Sequence, residues 1–311
     1  IELDMAVSIL FRSVKTNLAK VNFQKHVQCV HTGCSLLGAD KALVVKLRKA
    51  TGYTFINCKK ALEKFNNDIE QAESWLHEQA QMEGWSKAHK LEGRRAKEGL
   101  IGLLTQDNAA VMVEVNCETD FVARNEKFQQ LVQDVTLATM AHHHSRQQSG
   151  YVKSMWSAED LTKLTMVDGP LVADQLALTI GRLGENISVR RAVSFGIPAN
   201  WHIGSYVHGA VMEISSMPMG RYGALVVFQG GPEGQAETMG KKLGQHIVGE
   251  APITLGNIED QSCGESETRL LPQTFLMDPR YTVGQYLRLQ NAHVLDFMRY
   301  KCGESIAQEV E

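Results

Sequence analysis

The stretch V-E-V-N-C-E-T-D-F-V-A-R-N, Val113 to Asn125, decides the fold, because the period of the hydrophobic pattern changes within it. Val111, Val113 and Val115 alternate with Met112, Glu114 and Asn116, the period of two of a strand with one buried face. From Phe128 the apolar residues recur at helical spacing, through Leu131, Val132, Val135 and Ala138, and Thr119 or Asp120 is placed to cap the first exposed amides. A strand that runs straight into a helix start leaves Asp120 and Phe121 side by side at the join. Phe121 then admits two readings. Seven residues before Phe128, it falls on the same face of a continuous helix and is core. Alternatively it lies in the first turn, beyond the packed stripe, and projects as a probe for a partner.

Working outward, Gly99 to Thr105 and Ala109 to Cys117 flank Gln106-Asp107-Asn108, which predicts a hairpin delivering its second strand into that helix. His142, His143 and His144 follow the helix; adjacent histidines do not share a helical face, so a loop is expected there and no metal site. Leu171 to Leu183 reads as a helix, Ile187 to Ile197 as a strand, and Ile203 to Ile214 and Tyr222 to Gln229 as two further strands. A helix over Gln235 to Val248 follows. Thr282 with Gln285 three residues on opens another in capping-box form, and Ala292 to Tyr300 reads as a last strand. Helices and strands mix without regular βαβ repetition, so the main body from about Gly99 is expected to be α+β, in subdomains 99–200 and 201–311.

Upstream, 41–80 reads as three short helices. Leu43, Leu47 and Ala50 form one stripe, Cys58, Ala61, Leu62 and Phe65 a second, and Ile69, Ala72, Trp75 and Leu76 a third. Thr51-Gly52-Tyr53 breaks the first helix, and Asn67, three residues before Glu70, predicts a capping-box entry to the third. The polar, basic stretch 81–98 is expected to be a solvated helical linker. Residues 1–40 carry Arg12, Lys15, Lys20 and Lys25 and no acid between Met5 and Ala39, the composition of an organellar transit peptide cut near Leu37. Ile1 to Asp4 precede Met5 and are set aside from fold reasoning.

Composition narrows the class. With 43% hydrophobic and 22% charged residues the chain is ordinary for a globular protein, and no apolar run reaches the roughly 20 residues that span a bilayer. The net charge of −3 hides an asymmetry: 41–98 hold 12 basic and 8 acidic residues, whereas 99–311 hold 16 and 24. An acidic main body argues against a nucleic-acid surface and for a protein partner. Cys29, Cys34, Cys58, Cys117, Cys263 and Cys302 form no C-x-x-C pair, so free thiols are expected. No phosphate-binding G-x-x-x-x-G-K-[S/T] is present; Gly240-Lys241-Lys242 lacks both the spaced glycine and the hydroxyl. Nothing points to an enzyme, a cofactor or a metal.

N-C-E-T-D-F-V-A-R, Asn116 to Arg124, resembles the signature segment of the elongation factor Ts family, the nucleotide exchange factors for the translational GTPase elongation factor Tu. Four further blocks match that family in order: L-V-V-K-L-R-K-A-T-G-Y-T-F-I-N-C-K-K-A-L (Leu43 to Leu62), L-G-E-N-I-S-V-R-R (Leu183 to Arg191), I-G-S-Y-V-H-G-A (Ile203 to Ala210) and F-L-M-D-P-R-Y-T-V-G-Q (Phe275 to Gln285). The resemblance implies exchange by differential binding, without covalent chemistry, in a one-to-one complex. It implies that Asp120 and Phe121 enter the GTPase near the nucleotide's magnesium, that Thr119 and Val122 flank them at the contact, and that His208 and Gly209 lie on the partner-contacting surface. Read without the resemblance, His208 is equally an ordinary strand histidine. Together with the basic leader, the resemblance points to the mitochondrial form and to the matrix. Residues 41–80 also resemble a ubiquitin-associated domain, with T-G-Y in its loop, so a ubiquitin-binding adaptor is the alternative reading. Bacterial members carry a long coiled-coil insertion before the block at Phe275; here only Ala251 to Gln273 intervenes, with Pro252, Gly256 and Gly264 and no heptads.

Overall fold

The computed structural model describes residues 39–91, 93–146, 150–167, 169–210 and 217–305; the leader expected over 1–40 lies outside them except for Ala39 and Asp40. The hairpin is as expected. Strand β1 (Glu98–Gln106) pairs antiparallel with β2 (Ala109–Cys117), Glu98 opposite Cys117 and Gln106 opposite Ala109. Asp107 takes the turn at φ 50°, a conformation Asp tolerates better than most residues. Helix α4 (Asp120–Ala123) follows, and then α5 (Glu126–Ser145).

Two antiparallel sheets carry the main body. One has the order β3-β4-β2-β1-β6, with β3 at Val152–Ser157, β4 at Ile187–Gly196 and β6 at Met219–Gly220. The other has the order β5-β7-β8, with β5 at Trp201–His208, β7 at Tyr222–Gly230 and β8 at Ala292–Lys301. Alternation along the strands builds a layered core. Leu100, Val113 and Val115 face α5, packing on Phe128, Leu131 and Val135. Ile101, Leu103 and Met112 face the other sheet and meet Leu225, Val227 and Tyr300. On the far side Ala224, Val226 and Phe228 pack under α8 (Ala236–Glu250) and α9 (Val283–Leu289). The mixed, irregular order is the expected α+β class.

The N-terminal bundle comprises α1 (Lys41–Thr51), α2 (Phe55–Lys64) and α3 (Ile69–Leu91). Asp40 caps α1 by accepting from the Ala42 amide at 2.8 Å, and Gly52 closes it at φ 77°. The cap of α3 is Asp68, which accepts from the Gln71 amide at 3.0 Å, and not Asn67 as the spacing suggested. Asn67 sits at φ 66° outside the helix and accepts from the Asp40 amide. The third helix is not short either. With no glycine or proline to break it before Gly93 except Gly84, it runs through the first part of the basic stretch. There it packs on α7 (Val172–Leu183), and glycine makes the close approach possible: a Cβ on Gly181 would lie 2.1 Å from the Ala80 carbonyl oxygen, and one on Gly84 1.8 Å from that of Ala177.

Three further differences have local causes. The histidines 142–144 lie in the last turn of α5, not in a loop, because the helix keeps its packed face as far as Met140 and the His143 ring is held beyond it by Ser194 at 3.2 Å. Strand β5 stops at His208, where Gly209 turns the chain at φ 68°, and 211–216 lie outside the described residues. Strand β3 and the short α6 (Ala158–Thr162), the latter opened by a Ser157–Asp160 capping box, had no sequence assignment. Thr282 and Gln285 form the expected capping box of α9. Among the described residues no helix is long and apolar enough to cross a membrane.

Candidate partner-contacting site

Helix α4 is one turn long, and the reason lies in its two caps. Thr119 accepts from the Val122 amide at 3.3 Å to start it, and Asn125 accepts from the Lys127 amide at 2.8 Å to start α5. Because the chain re-caps at Asn125, Phe121 and Phe128 belong to different helices and the seven-residue relation between them does not hold. Phe128 is fully buried; Phe121 is 79% exposed. Its neighbours Val122 and Ala123 are buried in the core under β1 and β2, so the turn is pinned on one side and presents the phenyl ring on the other.

The base of the turn is clamped by the loop after α7. The Thr119 hydroxyl donates to Glu185 Oε1 at 2.7 Å and its amide to Oε2 at 3.1 Å. Reciprocally, the Asn186 amide donates to Glu118 Oε1 at 2.8 Å, and Arg94 pairs with Glu118 at 3.2 Å. Charged acceptors strengthen these bonds. The segments Asn116–Arg124 and Leu183–Arg191, separated by some sixty residues of chain, are thus one physical unit. Glu185 is the residue that pattern reading missed; its signal was the family block that contains it. The Asp120 carboxylate projects beside Phe121, half-exposed and paired with Arg124 at 2.7 Å. Cys117 lies just beneath, where burial, with the nearby Glu185 charge adding to it, pushes its thiol up to about 12. It is a packed thiol and no nucleophile. Cys58, Cys117, Cys263 and Cys302 are all free thiols, as expected.

His208 and Gly209 stand on a different element, the end of β5. The His208 ring lies against Tyr206, whose hydroxyl is 3.2 Å from Nδ1, and against Tyr222, with ring centroids 6.1 Å apart. The two groups of residues are nonetheless at the same end of the molecule. The His208 carbonyl accepts from the Arg221 amide at 2.9 Å, the Arg221 guanidinium pairs with Glu98, and Glu98 stands opposite Cys117 in the hairpin. Among the described residues no cluster of His, Cys, Asp or Glu could hold a metal ion.

Two family profiles match the chain: elongation factor Ts, mitochondrial, N-terminal over residues 27–86, and elongation factor TS over residues 118–261. The mitochondrial elongation factor Ts of Salmo salar is 69% identical over 97% of this chain and 98% of its own length. The chain belongs to the elongation factor Ts family. The mitochondrial elongation factor Ts of Xenopus laevis is 51% identical over 92% of this chain and 94% of its own, and that of Rattus norvegicus 52% over 88% of each. Membership makes translation elongation its field of action, and the elongation factor Ts family is one of exchange factors. The α4 turn and its Glu185 clamp lie within the segment the second profile matches.

Proposed function

We propose that this chain is a guanine nucleotide exchange factor for mitochondrial elongation factor Tu, acting in the matrix as a one-to-one complex that speeds GDP release. The observation that carries this is the 79% exposure of Phe121 on a turn whose other side is locked into the core. Among the described residues no other large apolar side chain is as exposed, and aromatic rings presented in this way are the anchors that protein partners bury. Asp120 places a carboxylate beside that ring. If the pair enters the GTPase near its Mg²⁺, the negative charge competes for the field that holds the phosphates. The exchange itself is linkage: a factor that binds the nucleotide-free GTPase more tightly than the GDP form weakens GDP by the same factor. Thr119 and Val122 set the turn's position, and His208 with Gly209 supply a second contact at the same end of the molecule.

The test is release of fluorescent GDP from mitochondrial elongation factor Tu, with and without this protein. Acceleration that depends on the protein's concentration and saturates near equimolar complex supports the proposal; an unchanged release rate overturns it.

A further inference from the structure

Glu114 of β2 is completely buried, a carboxylate in the layer between the two sheets. Val113 and Val115 on either side of it face α5, so by alternation Glu114 and Asn116 point the other way, toward the second sheet. Strand β4 bulges opposite it. Glu114 stands across from Arg191 and Val115 across from Val189, which leaves Arg190 as the extra residue. The bulge reverses the alternation: Val193 and Phe195 beyond it face the second sheet, whereas Val189 and Ile187 before it face α5. Two consecutive arginines are thereby turned to one carboxylate. Arg190 Nη1 donates to Glu114 Oε1 at 3.1 Å and Arg191 Nε to Oε2 at 2.6 Å.

The same carboxylate reaches the second sheet. The Gly303 amide, just beyond β8, donates to Glu114 Oε1 at 2.8 Å, and the Arg191 guanidinium lies 4.1 Å from the centre of the Tyr300 ring. Gly303 also runs against the residue that precedes β1: at its φ of 74° a Cβ would lie 2.1 Å from the Lys97 carbonyl oxygen. A second bulge, in β8, makes a similar link farther along. Leu295 is its extra residue, and Asp296 pairs with Lys153 of β3 at 3.0 Å. The bonding of the Glu114 cluster is incomplete, for Arg191 Nη2 and Asn116 Oδ1 are buried with no hydrogen-bond partner among the described residues. Apolar side chains of like volume hold such a position as stably as a buried ion cluster does, so stability does not account for this one. Charged hydrogen bonds fix length and direction, which apolar contacts do not.

We infer that Glu114 is a positioning residue for exchange: it sets the angle between the two sheets, and through that angle the separation of the α4 turn from the end of β5. Both supports of α4 run straight into the cluster. Glu114 lies five residues before Thr119 on the chain that enters the turn, and Arg190 five residues after Glu185, which holds Thr119. Gly303 ties them to β8, which with β7 and β5 makes up the second sheet. The inference rests on the proposed exchange function and adds a requirement to it, stiffness. A chain with one fixed spacing between its contacts fits one state of the GTPase better than another, and that difference in affinity is what drives GDP out. A chain whose sheets pivot fits both states and discriminates less.

The test measures binding of the full chain to GDP-bound and to nucleotide-free elongation factor Tu, together with GDP release at saturating concentrations of the chain. Glu114→Gln keeps the shape and removes the charge; a triple variant, Glu114→Met with Arg190→Met and Arg191→Met, replaces the cluster by apolar side chains and is expected to fold. In both, the preference for the nucleotide-free GTPase is expected to fall about tenfold and the saturated release rate to fall with it. A merely structural role does not give this result, because a partly unfolded protein loses the same fraction of its binding to both states and its release rate recovers at saturation. An unchanged preference in either variant that melts within a few degrees of the wild type overturns the inference. Failure of both to fold overturns it as well, since Glu114 would then serve the core alone. A wild-type chain with no preference between the two states removes the exchange function itself, whereas a wild-type preference kept by the variants removes only the role of Glu114.

Discussion

Phe121 and Phe128 show how one residue's role depends on a cap four positions from it. Both are phenylalanines in an amphipathic stretch, yet one is exposed and the other fully buried, because Asn125 interrupts the helix between them. Phe121→Ala is expected to slow GDP release sharply while shifting the melting temperature little, since an exposed ring has little buried area to lose. Phe128→Ala is expected to cost roughly 3–5 kcal/mol in chemical denaturation, the usual range for an emptied aromatic core site. Normal exchange by a Phe121→Ala protein that melts several degrees lower would remove Phe121 from the site. Asp120→Ala is expected to impair exchange too, with Arg124 left unpaired but solvated and stability nearly unchanged. The sequence alone left Phe121 open between two readings because periodicity cannot register a break made by hydrogen bonds. Asn125 is a good capping residue, and that was the signal available.

At the scale of elements, the hairpin, α7, β4, β7 and α9 were legible because each has a strong period and a chemical stop: Asp107 in its turn, Gly184 in the left-handed conformation after α7, the Thr282 capping box. What was not legible has few buried residues or no stop. Strand β3 buries Trp156 alone, so its alternation is faint. Helix α3 continues past the bundle because its far half packs on α7, a tertiary contact that local pattern does not encode. Gly181→Val is accordingly expected to push α3 away from α7, costing about 1–3 kcal/mol and lowering the helical signal first on heating. A second element-scale test concerns α8. His246 is fully buried, accepts from the Leu276 amide at 3.2 Å and lies 3.1 Å from Gln273 Oε1, tying α8 to the segment that leads into α9. Burial holds its pKa down, from 6.5 to about 4. Between those values the unfolded chain binds the proton and the native one does not, so stability is intact above about pH 6.5 and is lost as pH falls toward 4, in all by on the order of 3 kcal/mol. His246→Gln is expected to lack this component. Urea unfolding of both proteins at pH 7 and pH 4.5 checks it, and an equal loss in the two would exclude His246 as the source.

For the whole molecule, the segment between α8 and α9 bears on the stoichiometry to expect. The segment between α8 and α9 folds back on its own body. The Ile253 amide donates to the Thr268 carbonyl at 2.7 Å, Arg269 pairs with Asp260 at 3.1 Å and with Glu267 at 2.8 Å, and Gln273 donates to the Glu267 carbonyl at 2.9 Å. The Arg269 guanidinium holds the Glu267 carboxyl well below the usual carboxylate range. No arm extends from it to meet a second copy. The proposed contacts, α4 and the end of β5 at His208 and Gly209, need no symmetric partner to be complete. The purified protein is therefore expected to scatter light as one chain, and its complex with nucleotide-free elongation factor Tu as one chain of each. A two-fold dimer would need a self-complementary patch, and a single exposed ring on a one-turn helix is too small a surface to make one. A dimer that persists on dilution, or a complex holding two copies of this chain, would show that another surface assembles it.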